Sequence, residues 1–160
     1  MAKISVREAQ IEDAPLLLEF ICALAEYEGL LDQVEATEDD LRKTIFAGKS
    51  AEVLIAEYDG KASGFALFFH NYSTFKGKAG LYIEDLFVKP EFRGKGLGKA
   101  LFRHIARIAD NRGCGRLEWS CLDWNTPSIA FYNGLGAIPM SDWTGFRITD
   151  DKFKLLAGQI

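Results

Sequence analysis

YIEDLFVKPEFRGKGLG, residues 82–98, contains three kinds of structure in succession. An apolar run carrying Glu84 and Asp85 ends at Lys89-Pro90, a basic glycine-rich turn comes next, and an amphipathic segment opens at Leu97. The order is strand, phosphate-sized loop and helix N-terminus. Glycines at 94, 96 and 98 let backbone amides approach a ligand closely, and the first N–H groups of the helix, lacking intrahelical acceptors, converge on the same point. Arg93, Lys95 and Lys99 add full charges, which favours a pyrophosphate or phosphorylated nucleotide over a lone carboxylate. Glycines and basic residues alone do not separate such a cradle from an ordinary solvated turn.

Upstream, apolar runs at 52–58 and 62–70 flank Asp59-Gly60, a strong hairpin signal, and a third run at 79–88 continues the meander into the glycine loop. Residues 3–8 alternate around Ile4 and Val6 as a first strand. Asp13 and Pro15 open a helix whose apolar positions include Leu17, Phe20, Ile21, Leu24 and Tyr27, and which stops at Gly29. Thr37 caps a second, short helix that ends at Gly48. Downstream, Leu97, Leu101, His104, Ile105 and Ile108 share one face of a helix that runs to about Arg112 and ends at Gly113. A strand at 115–122 then lies parallel to 79–88, because a helix joins the two. Asn125 and Pro127 cap and begin a short helix through Tyr132, and late strands are expected at 138–140 and 146–156. The expected fold class is α/β (α+β): a mixed, mostly antiparallel sheet with helices on both faces, in one domain over 1–160.

The 160 residues are 48% apolar, enough for a full core, and carry a formal charge of −4. That balance argues against a nucleic-acid binder, whose affinity rests on a basic face, and suits a small cationic molecule. The opening MAKISVREAQ has no apolar signal core and no apolar run reaches about 18 residues, so neither secretion nor a membrane partner is expected and the chain reads as cytoplasmic. Three cysteines without CxxC spacing and two isolated histidines indicate no disulfide framework, metal site or Ser-His-Asp arrangement.

A Walker loop would need a glycine at 93 and Ser or Thr at 100, where Arg93 and Ala100 stand. A dinucleotide fingerprint starting at Gly94 would need a glycine at 99, which is Lys99, and a strand that opens the domain. What remains, Arg93-x-x-Gly96-x-Gly98 between strand and helix, resembles the acyl-CoA loop of the GCN5-related N-acetyltransferase (GNAT) superfamily. Asn125-x-Pro127-Ser128-x-x-Phe131-Tyr132-x-x-x-Gly136-Ala137 is similar to the segment after the second parallel strand there. More narrowly, Leu24-Ala25-x-Tyr27-Glu28, Gln33-Val34-x-x-Thr37-Glu38, Tyr82-x-Glu84-Asp85-x-Phe87-Val88 and Trp124-Asn125-x-Pro127-Ser128 resemble the diamine and spermidine/spermine N-acetyltransferase family, which includes thialysine acetyltransferases. The likeness spans nearly the whole chain.

The resemblance implies that the fourth and fifth strands splay apart around acetyl-CoA, and that acetyl transfers to the primary amine of a diamine, polyamine or thialysine-like amino acid by direct attack in a ternary complex. It also implies a role for each site residue. The backbone of Leu86, Phe87 and Val88 would hold the pantetheine arm, while Arg93, Gly94, Lys95, Gly96, Leu97, Gly98 and Lys99 would hold the pyrophosphate. Asn125, Pro127 and Ser128 would flank the arm beside Tyr132, the general acid that protonates the leaving thiolate. Glu84 would deprotonate the amine, through water, and Tyr27, Glu28, Glu84, Asp85, Glu118, Trp119 and Ser120 would bind it. Carboxylates around an aromatic wall suit a cation through charge pairing and cation–π contact. A homodimer is implied by resemblance alone.

Strict alternation would put Glu84 and Asp85 on opposite faces of their strand, and a bulge would aim both at the cleft. Two departures from the family pattern stand out. Asn133-Gly134 comes after the tyrosine where polyamine acetyltransferases commonly carry basic residues, which removes a CoA phosphate contact from there, and Thr144 stands where they tend to place an acid, which leaves room for a shorter diamine or a thialysine-like amino acid. A non-catalytic acyl-CoA sensor and an acetyltransferase of peptide, protein or aminoglycoside amines are the competing readings.

Overall fold

The structure, a computed structural model, describes residues 1–158. It comprises two compact units, residues 1–120 and residues from 121 onward. In the first, strands β1 (Ile4–Glu8), β2 (Glu52–Tyr58), β3 (Lys61–Ser73), β4 (Lys78–Val88) and β5 (Leu117–Trp119) form one sheet in the order β1-β2-β3-β4-β5. The first four are mutually antiparallel, and β5 lies parallel to β4. Asp59 and Gly60 both take positive φ, +50° and +77°, so the β2–β3 turn has the handedness that matches strand twist.

Helices α1 (Ala14–Tyr27) and α2 (Glu38–Leu41, prolonged by π-type turns over Arg42–Ala47) bring Leu17, Phe20, Leu41 and Ile45 onto Val53, Ile55, Phe65 and Phe87. Phe20 stacks on Phe65 with ring centres 5.3 Å apart. The alternate strand residues Leu54, Ala66, Phe68, Leu81 and Ile83 are buried on the other face, where α3 (Leu97–Asn111) contributes Leu97, Leu101, Phe102 and Ile105. Helices thus cover both faces, as expected.

Local signals account for the ends of these elements. Pro15 sits in the first turn of α1, where its missing N–H costs nothing. Thr37 Oγ1 accepts from the Asp40 backbone N–H at 3.2 Å, and the Thr37 N–H donates to Asp40 Oδ2 at 2.9 Å, a reciprocal cap. Thr37→Ala should lower stability by about 1 kcal/mol in urea unfolding, and an unchanged midpoint would show that α2 is held by packing alone. His70 has a structural use: its Nδ1–H donates to the Gly80 carbonyl at 3.0 Å, and Nε2 accepts from Arg112, whose guanidinium also pairs with Glu52 at 2.7 Å.

Two features of β4 matter for the chemistry beside it. Consecutive β3 residues Leu67 and Phe68 oppose Asp85 and Ile83, so Glu84 is an extra residue, a β-bulge. Pairing with β5 runs only through Leu81↔Leu117, Tyr82↔Glu118 and Ile83↔Trp119. Beyond that point β4 continues to Val88, and no described strand pairs with that edge.

The second unit carries α4 (Thr126–Gly134) and α5 (Asp150–Gly158). The late strands expected at 138–140 and 146–156 are absent among the described residues: 138–149 have no regular structure and 150–158 are helical. Gly136, Pro139 and Gly145 interrupt strand pairing in the first stretch, whereas Asp150-Asp151 ahead of Leu155-Leu156-Ala157 places acids at a helix N-terminus before strong helix formers. The alternation of Phe146 and Ile148 is real but does not extend past Thr149.

Candidate active site

The bulge at Glu84 resolves the alternation problem. It leaves Ile83 buried on the α3 side and turns Asp85, opposite Leu67, towards the side of Phe87 and α1, with the exposed Glu84 beside it. Glu28 comes directly after the last residue of α1. Burial, with the Glu84 and Glu28 carboxylates close by, pushes Asp85 up to about 6. Glu28 is itself raised by burial. Three of the sequence-predicted substrate residues therefore form one acidic cluster, and charges of one sign held together in partly dry surroundings attract a cation.

A few residues past the end of the same strand lies the glycine loop. Gly94 and Gly96 have φ of +74° and +91°, conformations that favour glycine, and a Cβ built at Gly94 would meet nothing within 4 Å, so the backbone there is open to an approaching group. The Ala100 N–H reaches back to the Gly96 carbonyl at 3.0 Å, which leaves the N–H groups of Leu97, Gly98 and Lys99 outside the helical ladder. These donors and the dipole of a 15-residue helix suit a pyrophosphate.

The cations expected to assist are placed less simply. Arg93 lies with its guanidinium carbon 4.7 Å from the Tyr27 ring centre and 5.5 Å from that of Phe87, and its Nε donates to the Val88 carbonyl at 2.9 Å. Lys95 Nζ lies 4.8 Å from the Tyr58 ring centre and 5.3 Å from that of Phe92. Lys99 is exposed. No local sequence pattern marks the Arg93–Tyr27 contact, because it joins the loop to a distant helix.

On the edge of β4 away from β3, Leu86 and Val88 present their backbone groups, whereas those of Phe87 face Phe65 of β3, and the Val88 carbonyl accepts from Arg93 Nε at 2.9 Å. The Lys89 N–H donates to the Ser63 carbonyl of β3 at 2.9 Å, so by the alternation of strand hydrogen bonding Val88 turns its own groups to the opposite edge. On β5, Glu118 pairs with Arg116 at 2.7 Å and accepts from Asn71 Nδ2 at 3.0 Å. Trp119 meets the Phe102 ring edge-on at 4.9 Å, and Ser120 Oγ lies 2.6 Å from the Tyr82 hydroxyl. Each of these β5-side residues already has a structural partner. Asn71 is remote in sequence and carries no local signal of that role, whereas Arg116, two residues before Glu118, shares its face of the expected strand.

In the second unit, Asn125 precedes α4 and is buried, its backbone carbonyl accepting from the Ile129 N–H at 3.1 Å, with Pro127 in the first turn. Tyr132 is on the same helix, partly exposed, with its ring centre 5.7 Å from that of Phe131. Asn125, Pro127, Ser128 and Tyr132 are therefore carried by one helix and its cap.

Comparison with known proteins agrees with this arrangement. Residues 17–137 match the sequence profile of the acetyltransferase (GNAT) family. The chain is similar to a Bos taurus thialysine N-epsilon-acetyltransferase, 36% identical over 171 aligned positions covering 99% of this chain and 100% of that one. It is also similar to an L-ornithine N5-acetyltransferase of Arabidopsis thaliana, 39% identical over 119 positions, 74% of this chain and 49% of that one. Among solved structures, an integron cassette protein from the mobile metagenome of V. cholerae superposes with a TM-score of 0.77 at 27% identity, covering 96% of this chain and 97% of that one. A short parallel strand pair ahead of a glycine loop, and likeness over nearly the whole length, lead to one assignment: the chain belongs to the acetyltransferase (GNAT) family and is an acetyltransferase.

Proposed function

We propose that this enzyme transfers the acetyl group of acetyl-CoA to a primary amine of a small cationic acceptor (a diamine, a polyamine or a thialysine-like amino acid) by direct attack in a ternary complex. The observation that carries the reading is the convergence of Glu28, Glu84 and Asp85 one strand end away from the glycine cradle. The names of the bovine and Arabidopsis relatives support an amine acceptor, since thialysine and ornithine both end in one.

Bound acetyl-CoA supplies an activated thioester carbonyl; the chain's residues supply position and proton traffic. The backbone donors at 97–99 and the glycines at 94, 96 and 98 hold the pyrophosphate, and the open edge of β4 at 86–88 receives the arm. Tyr27 and Glu28 hold the ammonium end of the acceptor. An alkylammonium has a pKa near 10.4, so losing its proton at pH 7 costs about 4–5 kcal/mol. Glu84, exposed at the bulge, takes that proton through water, and Asp85, poised at about 6, is a second acceptor matched to neutral pH. The amine nitrogen then bonds to the carbonyl carbon as the carbon–sulfur bond breaks, the Tyr132 phenol gives its proton to the departing sulfur, and the second proton shed by the nitrogen as the amide forms restores the phenol through water.

Initial-velocity lines for acetyl-CoA and amine should intersect; parallel lines would point instead to a covalent acetyl-enzyme, with Cys121 as the nearest nucleophile in sequence to the second motif. Glu28→Gln should raise the amine KM about tenfold with kcat little changed, the pattern of a lost charge-assisted contact. An unmoved KM would take Glu28 out of the acceptor site.

A further inference from the structure

Arg93 touches groups that the acyl-CoA reading assigns to different ligands. Its Nε donates to the carbonyl of Val88, on the β4 edge that the pantetheine arm would line. Its guanidinium lies 4.7 Å from the ring of Tyr27, the wall expected to receive a cationic amine. Its own position opens the loop that would bind pyrophosphate. Among the described residues no carboxylate pairs with it, so its charge remains available to an anion.

We propose that Arg93 is a shared group that couples the two sites: without a pyrophosphate it rests on Tyr27 and obstructs the amine wall, and a bound pyrophosphate draws it to the glycine cradle and frees the ring. The inference rests on the acyl-CoA reading above. The direction comes from relative strengths. A guanidinium held by one neutral carbonyl and by the Tyr27 and Phe87 rings is held less strongly than one on phosphate oxygens, where it makes charge-assisted, bidentate bonds. An incoming ammonium and Arg93 are like charges competing for one ring, so each weakens the other's hold. Acceptor binding is therefore poor in the free enzyme and improves once the pyrophosphate is seated, and by linkage the acceptor strengthens CoA binding by the same factor. Lys95, held on Tyr58 and Phe92, has no contact with Tyr27 and no part in this coupling.

The test uses the full chain with isotopically labelled tyrosine rings, the Tyr27 resonances being assigned with Tyr27→Phe. CoA and inorganic pyrophosphate should both shift those resonances; Arg93→Gln should show them displaced before any ligand is added. With thialysine as probe, saturating CoA should tighten amine binding about tenfold in the wild type, within the usual range of such couplings. Arg93→Gln should bind thialysine at the tighter level with or without CoA, while Arg107→Gln, an exposed charge farther along α3, keeps the dependence. CoA binding that leaves the Tyr27 resonances and thialysine affinity unmoved would overturn the proposal, as would coupling retained in Arg93→Gln. Failure of the wild type to bind CoA at all would remove the acyl-CoA reading first and this inference with it.

Discussion

Tyr132→Phe should lower kcat about a hundredfold while leaving acetyl-CoA affinity and melting temperature unchanged, within the span that a positioned general acid contributes. The reasoning is chemical. A phenol ordinarily stays protonated at neutral pH, so it arrives at the transition state with its proton in place, and phenylalanine keeps the ring while removing only the donor. Tyr132 is on the same nine-residue helix as Pro127 and Ser128, capped by Asn125, so its ring is tied to the segment expected to flank the acyl arm. Turnover within twofold of the wild type would remove Tyr132 from the acid's role, and a fall in stability would reassign the hydroxyl to the fold.

Asp85→Asn should move stability and activity in opposite directions. Burial and the carboxylates of Glu84 and Glu28 hold Asp85 at about 6 in the folded chain, against an ordinary 3.8. A folded-state value above the unfolded one means that the folded chain binds the extra proton, so the wild type loses stability as pH rises from about 4 through about 6. Removing the charge should therefore stabilise the fold by about 2 kcal/mol at pH 7 to 8, discounted for partial solvent access, with the advantage vanishing near pH 4. The amine kcat/KM should fall at least tenfold, and the acidic limb of the wild-type pH profile near 6, a property of the carboxylate cluster as a whole, should disappear. A variant no more stable than the wild type at pH 8 would show that Asp85 is not held in the environment described. Such a trade is expected where like charges are kept together for a ligand's sake.

Much of the fold is written locally. Asp59-Gly60 specifies its turn, Pro15 and Thr37 their helix starts, and the 94–98 glycines the entry to α3, because each of these depends on a few neighbouring residues. The bulge is legible as a requirement, since two adjacent acids can share a face in no other way, but the strand register that shows it comes from pairing with β3. The C-terminal stretch misleads because Phe146 and Ile148 alternate like a strand, while the acids and helix formers after Thr149 carry the stronger local preference. The place of Arg93 in the loop marks it as a phosphate ligand, and nothing nearby in sequence announces a ring from α1. Glu118 looks like a substrate carboxylate until its pairing with Arg116 and Asn71 is visible. Contacts between distant segments, such as Asn71 with Glu118 and Arg93 with Tyr27, are the part of a site that local pattern conveys least.

The central claim is that a small cationic amine accepts acetyl from acetyl-CoA at the Glu28–Glu84–Asp85 cluster. Incubating the enzyme with acetyl-CoA and, separately, polyamines, diamines, thialysine, lysine, an aminoglycoside and a lysine-containing peptide, with CoA release and product mass as readouts, tests it most directly. The expected result is CoA release matched by a singly acetylated small amine, strongly reduced in Tyr132→Phe. CoA binding without any acetylated product, or acetylation of the peptide or aminoglycoside while every small amine stays unmodified, would contradict it.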